Sequence, residues 1–335
     1  MTFEEFGREW DSGVESVEAR TSGSTGVPKY VRLDRRFMEA SALATNRFFR
    51  IYSSSWLHSC VAADFIGGKM MYVRAALAGC RFSSEIPSNR PLRGNLPAKL
   101  SLVALVPSQM RDILERVEAD GLSLSPLPEV ETYLIGGSAI PAEMRRRIGE
   151  SGLRCFESYG MTETSSHIAV RQIDGAVDPG WFGLIRDDVE LSLDDRGCLV
   201  IDFPDFGQNI VTNDIAELLD CHHFRIIGRA DDVIITGGRK VHPADVESRL
   251  SAVVGGEFAV SSLPHPLWGE AVVAVATGRN TLERIAEAAP RVLQPWERPK
   301  NLLLVESMPL TPNGKLSRRE LAKKLREFCY MEIKL

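Results

Sequence analysis

Thr21-Ser22-Gly23-Ser24-Thr25-Gly26-Val27-Pro28-Lys29 has the composition of a loop that wraps a polyphosphate. Glycine reaches φ > 0 and lets backbone N–H groups approach an anion with no side chain between. The hydroxyls add donors, and Lys29 adds a mobile positive charge. The spacing is not that of a Walker loop, in which lysine directly follows glycine. A Gly/Ser turn ending by chance in lysine would read the same over nine residues, so the rest of the chain has to decide.

Outward from this loop, the bulk composition narrows the classes. The chain has 335 residues, 44% hydrophobic and 25% charged, an ordinary globular balance long enough for two domains. A net charge of -5 gives no reason to expect nucleic acid or an anionic membrane as partner. The acidic start Met1-Thr2-Phe3-Glu4-Glu5-Phe6 lacks the layout of a signal peptide. No apolar run approaches the ~20 residues of a membrane span. Cys60, Cys80, Cys155, Cys198, Cys221 and Cys329 lack C-x-x-C spacing and read as reduced thiols, so the expected location is cytoplasmic. Cys221-His222-His223 has no second cluster to complete a metal site and is not read as one.

Upstream of Gly228, short apolar runs alternate with helical stretches. Leu102–Val106 reads as a buried strand followed by a helix from Gln109 to about Val117. Thr132–Ile135 repeats the pattern, ending at Gly136-Gly137 before a helix opened by Pro141. Arg154–Ser158 is a third strand, read as ending in a glycine turn. The repetition predicts an α/β sheet whose ligands gather at the strands' carboxyl ends. Downstream, Val233–Ile235, Ala259–Ser262, Val272–Ala276 and Leu302–Val305 read as strands. Helices are expected from Pro243, with Val246 and Leu250 on one face, and from Ser317 to about Phe328. The expected architecture is a large α/β lobe, residues 1–228, and a small mobile α+β domain, residues 229–335, with a hinge near Asp231.

Further motifs follow in order: Gly136-Gly137-Ser138-Ala139, Tyr159-Gly160-Met161-Thr162-Glu163, Thr212-Asn213-Asp214, Gly228-Arg229-Ala230-Asp231-Asp232, Gly237-Gly238-Arg239-Lys240, and Pro309-Leu310-Thr311-Pro312-Asn313-Gly314-Lys315. The series resembles the adenylate-forming superfamily of acyl-CoA synthetases, peptide-synthetase adenylation domains and firefly luciferase, over residues 20 to about 320. The resemblance implies that a carboxylate attacks the α-phosphate of ATP, giving an acyl-adenylate and pyrophosphate, and that a thiol then displaces AMP. Both reactants of the first step are anions, so positive charge and fixed geometry are needed at the phosphate.

By that resemblance, Thr21, Ser22, Gly23, Ser24, Thr25, Gly26 and Lys29 hold the β- and γ-phosphates, and Glu163 holds Mg2+, a hard cation that takes oxygen ligands. Thr162 donates to the phosphate or acyl oxygen. Tyr159 stacks on adenine, with Gly160 keeping a tight turn and Gly137 and Ser138 beside the nucleotide. Asp214 accepts from both ribose hydroxyls, a task suited to a two-oxygen acceptor, and Arg229 adds a charged contact. The family usually has glycine where Asn213 stands, and asparagine tolerates φ > 0 next best. Lys315 is the expected catalytic cation of the first step, projected by a stiff turn. Gly237 and Gly238 meet the thiol of CoA after the small domain rotates about Asp231. Many CoA ligases carry a lysine near position 235, whereas Ile235 and Thr236 stand here.

The loop begins at residue 21, whereas most relatives place a large subdomain before it. The start at Met1 and the intact motif order favour a compact ligase over a fragment, and the uncovered surface suggests a homodimer. Leu57–Gly68, a helix from about Lys69 to Leu77, and Gly136–Ala139 are expected to line the acyl pocket. Ala63–Gly79 resembles the corresponding region of o-succinylbenzoate–CoA ligases of menaquinone biosynthesis. Their acid has an aromatic ring and a second carboxylate that is not activated. Gly67-Gly68 would admit the ring, and Lys69 would pair with the spare carboxylate. His58 and His167 are read as structural histidines near the pocket. Competing readings are another aryl- or acyl-CoA ligase, an adenylation enzyme loading a carrier protein, or a non-catalytic nucleotide-binding remnant. Retention of Lys29, Glu163, Asp214, Arg229 and Lys315 together argues against the last.

Overall fold

The computed structural model describes residues 1–20, 30–119, 127–173, 180–310 and 316–327. Its main feature is an eleven-stranded sheet that is parallel in one half and antiparallel in the other. The parallel half runs Arg81–Ser84, Trp56–Ser59, Leu102–Leu105, Tyr133–Ile135, Cys155–Met161 in spatial order. Parallel neighbours need crossovers, and the chain supplies the helices Ile66–Ala78, Pro107–Glu118 and Ala142–Ser151 for them. Leu102-Val103-Ala104-Leu105 is buried along its whole length because helices cover both faces. Burying each such large apolar side chain contributes about 1.5–3 kcal/mol. The second helix has Pro107 in its first turn, where no N–H is missed, and the first and third stop at left-handed Gly79 and Gly152.

Beyond Cys155–Met161 every pairing is antiparallel: Ser166–Gln172, Phe182–Leu184, His223–Arg229, Gln208–Leu218, Cys198–Phe203, Glu190–Leu193. This half curls on itself. Tyr159 and Asp214 lie on strands four places apart, ~19 Å if the sheet were flat, yet their side chains are hydrogen-bonded at 2.7 Å. Phe182, Phe203 and Phe224 fill the curl, with Phe37 of the helix Arg35–Phe49 against Phe203. Sequence reading had ended the third parallel strand at Ser158 in a turn. The strand instead continues to Met161, because Tyr159 and Gly160 pair with Ala169 and His167.

At the start of the chain, the helix Phe3–Asp11 is capped reciprocally by Thr2 and Glu5 and lays Phe6 and Trp10 into a core shared with Met70 and Val73. The strands Ser16–Arg20 and Tyr30–Asp34 then form a separate two-stranded sheet.

A second sheet of five strands begins at Ile234. Gly269–Ala276 is central in it, paired antiparallel with Phe258–His265 and Ile234–Thr236 and parallel with Asn301–Leu304. Both its faces are covered, by Pro243–Ser251 and Arg279–Val292 on one side and Arg318–Glu327 on the other, which explains the unbroken apolar run from Val272 to Ala276. The whole is a mixed α/β lobe followed by a smaller α+β lobe. Among the described residues no helix is long and apolar enough to cross a membrane.

Candidate functional site

Strand Cys155–Met161 delivers most of the site. Its register with Ser166–Gln172 brings the two backbones so close that a Cβ on Gly160 would lie 2.2 Å from Ser166 O and 2.5 Å from His167 Cα. Gly160 is therefore required by strand packing, and the turn itself is made by Thr162 to Ser165. That turn is tied internally. Met161 N–H donates to Thr164 Oγ1 at 2.9 Å, and Ser41 Oγ donates to Ser165 O at 2.9 Å from the helix behind. Ser165 and Ser166 both have positive φ, 53° and 84°, a strained pair held by these bonds. On top of the turn Glu163 is exposed and Thr162 half-buried. Two open carboxylate oxygens on a rigid turn suit a hard cation such as Mg2+.

Next to it, Asp214 and Arg229 are directly cross-strand neighbours. Tyr159 Oη donates to Asp214 Oδ2 at 2.7 Å, and Arg229 donates to Asp214 Oδ1 at 2.8 Å. Each carboxylate oxygen keeps one lone-pair direction free. Burial first, and then the neighbouring Asp214 charge, push the Tyr159 phenol well above its ordinary value, so it stays a donor. The Tyr159 ring packs edge-on against Phe224 with centroids 5.1 Å apart. Asn213 was expected at a turn with φ > 0. It lies instead inside the strand Gln208–Leu218, and its φ is not positive. Its amide bridges, accepting from Arg196 at 3.0 Å and donating to Asp231 at 3.0 Å.

The expected hinge is split between the two lobes. Asp231 bonds to Asn213 and lies 3.8 Å from Arg229, both in the large sheet. Asp232, one residue on, pairs with Arg318 of the small lobe at 3.3 Å. Gly237 and Gly238, with φ of +54° and +75°, make the exposed two-residue tip joining Ile234–Thr236 to Arg239–Val241.

Gly136 follows the strand Tyr133–Ile135 and lies 2.7 Å, measured from its would-be Cβ, from Ser158 Oγ, which itself donates to Ile135 O. Gly137, with φ +89°, carries the chain on to Ser138. Buried Glu157 organises this corner. It accepts from Arg145 at 3.0 Å, from Arg171 at 2.6 Å and from Ile140 N–H at 3.3 Å. Sequence reading had taken Glu157 as an ordinary strand residue; a carboxylate between Phe156 and Ser158 of a buried strand was the available signal.

The loop from Thr21 to Lys29 and the residue Lys315 lie outside the described residues. The loop's flanks are fixed, with Arg20 paired to Tyr30 and bridged to Phe65, and Leu310 pairs with Leu316.

Two expectations for the acyl pocket are corrected. Gly68 is needed because its Cβ would fall 2.2 Å from Ala62 O, so helix Ile66–Ala78 packs on backbone there and leaves no slot for a ring. Lys69 is buried under the first helix, its Nζ 4.4 Å from the Phe6 ring centroid and 2.9 Å from Met1 Sδ, and burial lowers its basicity. The buried cation of this helix nearest the turn is Arg74, five residues on, whose guanidinium donates to Ser166 Oγ at 3.3 Å. It is fully buried, has no carboxylate within 4 Å among the described residues, and leaves its Nε without a partner. Burial pulls it down to about 9, so it remains charged at neutral pH. Arg74 donates to His167 Nδ1 at 3.4 Å, and His167 Nε2 meets Thr45 Oγ1 at 3.1 Å. Burial, with Arg74 and Arg186 nearby, holds the His167 imidazole well below its usual range and hence neutral. The sequence signal was a single arginine within the otherwise apolar run from Met70 to Leu77.

The family described as AMP-binding enzyme matches residues 21–202, and the AMP-binding enzyme C-terminal domain matches residues 246–315. The 2-succinylbenzoate–CoA ligase of Enterococcus faecalis is 26% identical over 349 residues, covering 94% of this chain and 71% of that protein. The corresponding ligase of one Bacillus cereus strain is also 26% identical, over 92% of this chain and 69% of its own length. An acyl-CoA synthetase (AMP-forming)/AMP-acid ligase II-like protein from Dyadobacter fermentans is similar in structure, with TM-score 0.61 and 29% identity over 96% of this chain and 93% of that one. The o-succinylbenzoate CoA synthetase of Bacillus subtilis, solved with its acyl-adenylate intermediate, shares the fold at TM-score 0.73 and 20% identity, over 91% and 68%.

Proposed function

This chain belongs to the AMP-binding enzyme family, and from that premise we propose that it condenses a carboxylic acid with ATP to an acyl-adenylate and passes the acyl group to CoA. The observation that carries this reading is the Asp214 carboxylate, held between the Tyr159 hydroxyl and the Arg229 guanidinium. With one donor on each oxygen, its remaining lone pairs face outward as a matched pair for the two hydroxyls of a ribose. Glu163, on the neighbouring turn, would hold the Mg2+ that accompanies ATP and offsets phosphate charge. Thr162 lies beside it as a donor to the phosphate or acyl oxygen, while Gly137 and Ser138 wall the nucleotide. Thr21–Gly26 and Lys29 bind the outer phosphates, and Lys315 supplies the positive charge where the α-phosphate is attacked. Gly237 and Gly238 face the CoA thiol in the second step, after the lobe 229–335 turns about Asp231.

The acid is an aromatic dicarboxylate of the o-succinylbenzoate class, the substrate that several relatives are named for. Arg74 supports this choice. A buried guanidinium without a counter-ion is costly unless an anion arrives to pair with it, and a substrate with a second carboxylate provides one. Arg74 thus takes the part first read into Lys69. The test is ATP–pyrophosphate exchange across a panel of carboxylic acids, followed by thioester formation with and without CoA. Exchange driven by benzoate or a fatty acid but not by o-succinylbenzoate would refute the assigned acid. AMP release that depends on a phosphopantetheinylated protein instead of CoA would refute the assigned acceptor.

A further inference from the structure

We propose that His58, Cys60 and Glu85 form a binding site for one divalent transition-metal ion of the zinc class. Their donor atoms lie within 4.8 Å of one another, with His58 Nε2 and Glu85 Oε2 3.8 Å apart. A tetrahedral zinc at about 2.0–2.3 Å from each ligand holds its donors roughly 3.3–3.8 Å apart, so small side-chain rotations close the set. The strands place them on one face. His58 and Cys60 are two residues apart, and His58 pairs with Ser83, which sets Glu85 level with Cys60.

His58 is the most constrained of the three. It is completely buried, and its Nε2 has no hydrogen-bond partner. Its Nδ1 lies 2.9 Å from Ser83 Oγ, which also accepts from Trp56 Nε1 at 3.1 Å. With the Nδ1 proton directed to Ser83, the Nε2 lone pair points at Cys60 and Glu85. That is the arrangement in which an outer hydrogen bond orients an imidazole ligand. Mixed nitrogen, thiolate and carboxylate donors suit zinc or cobalt over magnesium or calcium.

The site is also pre-formed. Cys60 N–H donates to Ala104 O at 3.0 Å, Gln109 donates to Cys60 O at 2.9 Å, and Leu92 N–H donates to Glu85 at 3.1 Å. Ligation sends the Cys60 proton to solvent as its sulfur becomes thiolate, and the fourth position is left to water. An ion here would clip the edge strand Arg81–Ser84 to Trp56–Ser59, at the origin of the segment 61–65 that leads into the helix bearing Arg74.

Cobalt(II) titration of the full chain in a Cys221→Ser background, which removes the exposed Cys221–His222 pair, tests the assignment. The expected result is one cobalt per chain with a thiolate-to-cobalt charge-transfer band. The band is displaced by one equivalent of zinc and absent in Cys60→Ser, and Glu85→Gln, which keeps an acceptor for Leu92, weakens binding at least tenfold. At equal zinc concentration the thermal midpoint of the parent should rise by more than that of Glu85→Gln. A parent with no such band, or a band that survives Cys60→Ser, overturns the proposal. If Cys60→Ser does not fold, unaltered cobalt affinity in Glu85→Gln overturns it instead.

Discussion

Arg74 sits in a helix, Ile66–Ala78, that contains no acidic residue to neutralise it. Replacing it with glutamine removes a charge-assisted contact of about 1.5–3 kcal/mol. The KM for an aromatic dicarboxylate should rise ~10- to 100-fold, with the KM for ATP unchanged and no effect on a monocarboxylate analogue. Steady-state kinetics on the three substrates decides it. Its neighbour His167 makes a prediction about stability. The native imidazole stays neutral well below its ordinary range, whereas the unfolded chain takes a proton near pH 6.5. The unfolded state then binds more protons, so stability falls as the pH drops through about 6.5, by up to ~1.4 kcal/mol per pH unit. His167→Gln should narrow the gap between urea midpoints measured at roughly pH 7.5 and pH 5.5. An unchanged gap would assign the acid sensitivity elsewhere.

At the scale of elements, two glycine positions separate packing from turn-making. At Gly160 an added methyl meets backbone of the adjacent strand, which has no freedom to withdraw. Gly160→Ala should cost about 3 kcal/mol, the upper end for overpacking, and lower the denaturant midpoint accordingly. Gly238→Ala, at an open hairpin tip with nothing within 4 Å, faces only the left-handed backbone penalty of ~1 kcal/mol. Reversed magnitudes would mean that the strand pairing around Gly160 is mistaken. These elements also show what sequence could disclose. Leu102–Leu105 and Val272–Ala276 announced themselves as unbroken apolar runs, and Val246 with Leu250 marked a helix face. The curl of the antiparallel half did not. It arises from which strands pair at long range, and nothing local in Tyr159 or Asp214 states that they touch. Asn213 was misread for the same reason: asparagine favours turns, but a strand register overrode that preference. Lys69 was chosen for its place at the expected helix start, and only the packing of Phe3–Asp11 reveals it as covered.

For the whole molecule, the expected two-step chemistry depends on the small lobe delivering Lys315. Lys315→Ala should lower adenylate formation ~100- to 1,000-fold while thioester formation from pre-made acyl-adenylate continues. Pyrophosphate exchange that survives the change would remove Lys315 from the first step. The split anchorage at Asp231 and Asp232 belongs to this scale too. Asn213→Ala frees Asp231 without touching the Asp214 carboxylate, so the two half-reactions should change by unequal factors when each is timed in single turnover. The connection between the two sheets runs only from Arg229 to Ile234, a span of ~17 Å at full stretch. A tether that short keeps the second body permanently within striking distance, so dilution cannot slow their meeting. Cutting the peptide there would turn a first-order encounter into a second-order one, and the cleaved pair would regain its rate only by being concentrated.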